Sequence, residues 1–166
     1  MLEYQKLSRR YAVRRLNDPD ADEILRLCEE NTQFYAYCQA QPTKEQVLSD
    51  LHLLPPGVTR TDKYYLGFYQ GTMLIAVMDL VDGYPEKEIA FIGFFMLKKA
   101  LQGQGLGSAI IEETAAHLKA TGKTAIRLAI DKDNPQSNHF WKKNGFHVCK
   151  EVERDGWTLL VAERVL

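Results

Sequence analysis

The chain has 166 residues, 45% hydrophobic and 26% charged, enough apolar material for one domain, residues 1–166, to bury a core without disulfide or metal staples. Its 21 Lys and Arg against 22 Asp and Glu give a formal net charge of −1, which argues against a nucleic-acid backbone or an anionic membrane as the main partner. Three scattered cysteines, Cys28, Cys38 and Cys149, suit neither a disulfide framework nor a zinc site, and are read as small, reduced, buried groups of a cytoplasmic protein.

The N-terminal segment has no signal-peptide core, and no apolar run reaches membrane-spanning length. Tyr11 to Leu16 reads as a short strand, ended by Asn17-Asp18-Pro19-Asp20, where aspartates cap and Pro19 starts a helix that runs through Ile24, Leu25, Leu27 and Cys28 to about Asn31. Thr43 with Gln46 three residues on forms a capping box for a second helix carrying Val47, Leu48 and Leu51, stopped by Pro55-Pro56-Gly57. Tyr64 to Tyr69 and Met73 to Val81 make a hairpin across Gln70-Gly71, and Glu88 to Leu97 adds a third antiparallel strand.

From Gln104 to Ala120 the apolar spacing is helical, with Gly107, Ile111, Ala115 and Leu118 on one face and Gly122 at the close. Thr124 to Ile130 is apolar with little alternation, the mark of a strand buried on both faces. A strand, crossover helix and strand imply a parallel pair, Glu88–Leu97 beside Thr124–Ile130. Helix Gln136 to Asn144 and strands Phe146 to Glu153 and Trp157 to Val165 complete the chain. The fold class is therefore α/β with a mixed sheet, antiparallel at both ends and parallel in the middle.

Gln102-Gly103-Gln104-Gly105-Leu106-Gly107 lies where strand gives way to helix, so its backbone N–H groups lack intrahelical partners and suit an anion. Glycines leave those amides uncovered, and the helix dipole adds favourable potential. No Gly-Lys-Ser/Thr follows, which disfavours a P-loop, and Ser108 stands where a dinucleotide-binding loop needs its third glycine, although Asp131 could mimic a ribose-binding acid.

A second passage, Asn134 to Phe146, joined to the first, resembles the GNAT superfamily. Its pattern Gln/Arg-x-x-Gly-x-Gly/Ala is matched by Gln102, Gly105 and Gly107, and its second motif by Asn134, Phe140, Gly145 and Phe146, while Ser137 and Trp141 depart from it. The resemblance implies a GNAT-like fold with a splayed central strand pair flanked by helices, and acetyl-CoA as cosubstrate without a metal. Backbone groups of Met96 and Leu97 are then expected on the pantetheine arm, the amides of Gln102, Gly103, Gln104, Gly105, Leu106, Gly107 and Ser108 on the pyrophosphate, and Asn134 on pantetheine. It further implies an N-acetyltransferase acting on an amine-bearing small molecule, peptide or protein, with a homodimer left open.

Among catalytic candidates, Glu88 stands where some members carry a base, and Asp79 and Asp82 are weaker candidates. Trp141 replaces the tyrosine proposed to protonate the leaving thiolate, so a catalytically silent acyl-CoA-binding module is the alternative. His139, two residues before Trp141 and about 200° round the helix, is expected at the surface, away from any cleft that Trp141 faces. His117 and His147 have no carboxylate spacing that suggests a metal. Phe34, Tyr35 and Tyr37 are expected either to line an acceptor pocket or to pack as core.

Overall fold

Seven strands form a single mixed sheet in the order β1-β2-β3-β4-β5-β7-β6, seen in a computed structural model that describes residues 1–38 and 40–166. The strands are β1 Ala12–Arg15, β2 Lys63–Gln70, β3 Met73–Asp82, β4 Ile89–Leu97, β5 Ala125–Asp131, β6 His147–Arg154 and β7 Trp157–Val165. The helices are α1 Ala21–Glu29, α2 Thr32–Tyr35, α3 Lys44–His52, α4 Leu106–Ala120 and α5 Pro135–Lys143. Neighbouring strands are antiparallel except β4 and β5, which pair in parallel as the crossover through α4 requires.

Burial follows from what covers each face. β2 and β3 are buried on both sides and accordingly show apolar runs without alternation. One face packs Leu66, Phe68, Met78 and Leu80 against Ile110, Ile111, Ala115 and Leu118 of α4 and Trp141 of α5. The other packs Tyr65, Tyr69 and Val77 against Ile24, Leu27 and Cys28 of α1 and Val47 and Leu51 of α3. At the edge, β6 is exposed along nearly its whole length. Among the described residues, no helix is long and apolar enough to cross a membrane.

Several boundaries move for identifiable reasons. α4 begins at Leu106 rather than Gln104, because Gly105 has a φ of 78° and holds the preceding residues out of the helix. Only half of the expected capping box forms: Thr43 accepts from the Gln46 N–H at 3.1 Å, but the Gln46 side chain turns forward to Asp50 at 2.8 Å. The first helix stops at Glu29, and a separate helical turn, α2, follows it. Cys28 is buried as expected, whereas Cys38 is half-buried and Cys149 exposed on edge strand β6.

Candidate functional site

β4 and β5 pair only from Ile89 opposite Ala125 to Ile92 opposite Leu128. Beyond that the two no longer pair with each other, although β4 continues to Leu97 beside β3 and β5 to Asp131 beside β7. On the other side of β4, Leu80 faces Ile92 and Asp79 faces Phe94, so Gly93 is one residue too many for the ladder. Such a bulge bends its strand and raises the local twist, which turns β4 away from β5 and opens a gap.

The Lys98 N–H donates to the Ile75 carbonyl at 2.7 Å, which fixes the phase of the ladder. Bonded and non-bonded pairs alternate in an antiparallel ribbon, so Met96 exchanges its backbone bonds with Val77 of β3, while Phe95 and Leu97 turn theirs towards the gap. The Leu97 carbonyl already accepts from Gln102 Nε2 at 3.0 Å and Asn31 Nδ2 at 3.3 Å. The open groups of this edge are therefore the Phe95 amide and carbonyl and the Leu97 N–H. The expectation that Met96 offers backbone bonds to a ligand is corrected by this phase; its buried side chain reaches the site from the other core.

Past β4 the turn Lys99–Leu101 leads into the glycine loop. Among the described residues, none of the N–H groups from Gly103 to Ser108 donates to a protein acceptor, and the first bond of this helix runs from the Ala109 N–H to the Gly105 carbonyl. Gly103 and Gly105 have φ of 75° and 78°, and a Cβ on either would meet open space. Gly107 differs: a Cβ there would lie 3.2 Å from Phe140 Cε2, so its missing side chain lets α4 pack on α5. Row and dipole together form an anion cradle at the N-terminus of a 15-residue helix.

Gap and cradle open into one cavity of about 450 Å³. Its walls include Phe95, Leu97, Gln102, Gly103, Gly105, Gly107, Ser108, Asn134, Phe140 and Trp141. Gln102 ties the walls together, donating to Asn31 Oδ1 at 2.6 Å and accepting from Gln136 Nε2 at 3.3 Å. Gln104 turns aside to the Ala100 carbonyl and does not line the cavity, nor does the Leu106 side chain, which packs on the core. Asn134 is buried and caps α5, its Oδ1 accepting the Ser137 N–H at 3.1 Å, which leaves the amide nitrogen as its free donor. Trp141 is buried among Phe95, Phe140 and Phe146, with ring centroids 4.9 to 6.1 Å away.

Glu88 is not brought to this site. It is exposed just before β4 and absent from the cavity wall, and the five residues to Gly93 correspond to roughly 16 Å of strand. Asp82 is ion-paired with Lys123, and Asp79 lies behind Gly93, paired with Lys63 at 2.8 Å. Phe34 lines the cavity. Tyr35 instead packs towards Cys28, and burial first, then the Cys28 neighbour, raises its phenol far above the usual range. Tyr37 is half-buried outside the wall.

His139 is exposed, as expected, yet it borders the same cavity as Trp141, because the cavity wraps round α5 from Gln136 to Lys143 rather than touching one face. Cys38 and Asp131 also line it. No periodicity around Cys38 marked it, and Asp131 drew notice only as a ribose mimic. Burial pushes the Cys38 thiol up to about 11, with the Asp131 charge adding to the rise. Among the described residues no group of His, Cys, Asp and Glu could hold a metal.

Residues 13–146 match the family described as the acetyltransferase (GNAT) family. The structure is similar to an acetyltransferase from Thermus thermophilus, at 25% sequence identity and a TM-score of 0.75, covering 94% of this chain and 97% of that one. It also resembles the PaiA N-acetyltransferase of Thermoplasma acidophilum in complex with coenzyme A, at 20% identity and a TM-score of 0.68, covering 94% and 99%. The ribosomal-protein-S18-alanine N-acetyltransferase of Escherichia coli shares 14% identity with a TM-score of 0.66 and 93% coverage of both chains. These last two likenesses are of fold. No match was found among curated proteins.

Proposed function

The chain belongs to the GNAT acetyltransferase family, and on that premise we propose that it moves the acetyl group of acetyl-CoA to a primary amine by direct attack, as a single cytoplasmic unit spanning residues 1–166. The observation that carries this reading is the meeting, in one cavity, of an amide cradle and an unpaired strand edge. Acetyl-CoA has a diphosphate for the first and an amide-bearing pantetheine arm for the second.

The amides from Gly103 to Ser108 hold the pyrophosphate, with Gly103 and Gly105 keeping the approach clear and Gly107 seating α4 on Phe140. Gln102 acts by position, pinning the loop to Asn31 and Gln136. Phe95 and Leu97 pair with pantetheine as a neighbouring strand would, Asn134 adds its amide nitrogen, and the Met96 side chain packs behind the edge. A backbone N–H at Phe95 or Leu97 then faces the thioester carbonyl and stabilises the oxyanion.

The acceptor enters beside Phe34 and Cys38. Attack by a neutral amine forms the C–N bond as the C–S bond breaks. A thiol pKa near 8.5 makes the thiolate a tolerable leaving group, so the reaction does not depend on an acid at position 141. Trp141 shapes the cleft and directs its N–H at sulfur. That its indole supplies no proton favours a second reading, a silent acyl-CoA-binding module.

Thiol release from acetyl-CoA with a panel of primary amines (a polyamine, an arylethylamine and an alanine-terminated peptide) separates the two. Release that saturates with both substrates supports transfer. Tight acetyl-CoA binding with release no faster than hydrolysis for every amine supports the silent module.

A further inference from the structure

Behind the cavity lies an ion pair that the roles above leave unused. Asp79 and Lys63 face each other at 2.8 Å with side chains 15% and 5% exposed. Asp79 Oδ2 accepts from Lys63 Nζ, while Oδ1 is buried and, among the described residues, has no hydrogen-bond partner. The carboxylate sits against Gly93: a Cβ on that residue would lie 2.8 Å from Oδ2. Gly93 is both the bulge that opens the gap and part of the cavity wall. The absence of a side chain there lets the Asp79 carboxylate pack directly behind the stretch of β4 backbone that forms the cavity wall, so only a glycine lies between carboxylate and cavity. Lys63 in turn lines a second cavity of about 250 Å³ with Arg15, His52 and Arg60.

We propose that Asp79, held by Lys63 behind Gly93, is the base that takes the proton from the acceptor ammonium, and that the proton leaves by the Lys63 cavity. This rests on the acyl-transfer reading and assigns the step that Glu88 is placed too far away to perform. The acceptor arrives as R–NH3+ and gives one proton to the Asp79 carboxylate. The neutral nitrogen forms the bond to the acetyl carbon, the C–S bond breaks with its electrons on sulfur, and a second proton from nitrogen goes to that thiolate. The products are the acetamide, CoA thiol and protonated Asp79. Lys63 passes a proton to water in the second cavity and regains one from Asp79, restoring the pair.

The surroundings suit this task. Burial raises the Asp79 carboxyl above the usual range, the Lys63 charge and hydrogen bond oppose that, and Asp50 of α3 adds to it. Tyr65, the other titratable neighbour on β2, is held neutral by burial. A carboxylate with raised basicity is better matched to an ammonium than an exposed one.

The test measures kcat against pH for Asp79→Asn, using the best amine of the panel, with acetyl-CoA affinity by calorimetry. At pH 7 kcat is expected to fall by roughly 10² to 10⁴ with affinity unchanged. The deficit should then shrink about tenfold per pH unit, as the amine itself loses its proton, while the wild type stays flat. Gly93→Ala, which pushes the carboxylate aside, should lower kcat in the same sense. Should Asp79→Asn fail to fold because Lys63 is left unpaired, the double variant Lys63→Met/Asp79→Asn carries the same measurement. A folded variant with wild-type kcat, or a deficit equal at all pH values, overturns the assignment and leaves acyl transfer standing. A wild type that binds acetyl-CoA and acetylates no amine overturns both.

Discussion

Replacing Gly105 by Asp should abolish useful CoA affinity while leaving the protein folded, and Gly105→Ala separates the two reasons. At a φ of 78° any L-residue is strained, at about 1–2 kcal/mol. A Cβ meets nothing within 4 Å, so no steric term adds to that. Both variants therefore lose a similar, small amount of stability, and neither can cap α4, because an N-cap side chain needs an extended backbone at that position. Charge divides them. Two unit charges about 6 Å apart at an effective dielectric near 20 repel by about 3 kcal/mol, or about 100-fold in Kd. Calorimetric titration with CoA should show Gly105→Ala within about tenfold of wild type and Gly105→Asp at least about 100-fold weaker, with the gap narrowing in high salt. Equal losses in the two variants, or wild-type affinity in a folded Gly105→Asp, would refute the argument that this loop faces the diphosphate.

Other perturbations follow from burial and placement. Glu88→Gln should change turnover less than about twofold in the thiol-release assay, since the carboxylate is exposed outside the cavity; an effect of roughly 10² or more would restore it as the base. Trp141→Ala removes the centre of the Phe95, Phe140 and Phe146 cluster and should cost about 3–5 kcal/mol in denaturant unfolding, whereas Trp141→Tyr should keep turnover within a few fold. Asn134→Ala loses the α5 cap, worth about 1 kcal/mol and read as a lower Tm, together with its donor to the ligand. Iodoacetamide at pH 8 should modify exposed Cys149 first, because burial pushes the Cys28 and Cys38 thiols up to about 11, and labelling of Cys38 should rise only as pH approaches that value.

Much of the fold was legible because its signals are local. The apolar run from Ala125 to Ile130 disclosed a strand, and with the helix before it required a parallel pair, but cover on both faces did not follow: Ile126, Leu128 and Ile130 are buried while Arg127 is half-buried and Ala129 exposed. The three glycines marked a strand-to-helix turn. Their different duties were not legible: Gly103 and Gly105 hold positive φ in open space, while Gly107 makes room for Phe140, a contact between helices about 30 residues apart in the chain. The Gly93 bulge was hidden too, since strand periodicity continues through Glu88 to Leu97 and only pairing with β3 shows one residue in excess. That bulge decides why Asp79 sits behind the cavity wall and Glu88 beyond its end. His139 lies at the surface as read, but its separation from the cavity was misjudged, because a helical wheel assumes a flat partner whereas this cavity curves round α5.

The most direct measurement is titration of the isotopically labelled protein with acetyl-CoA, following each backbone amide by NMR. Acetyl-CoA held at the splayed pair predicts that the largest shifts fall on Gly103 to Ser108 and on Phe95 and Leu97, with Asn134 moving as well and the exposed strand β6 unaffected. Saturable shifts centred elsewhere, such as on Arg15, His52 and Lys63 around the second cavity, or no shifts at millimolar acetyl-CoA, would contradict it.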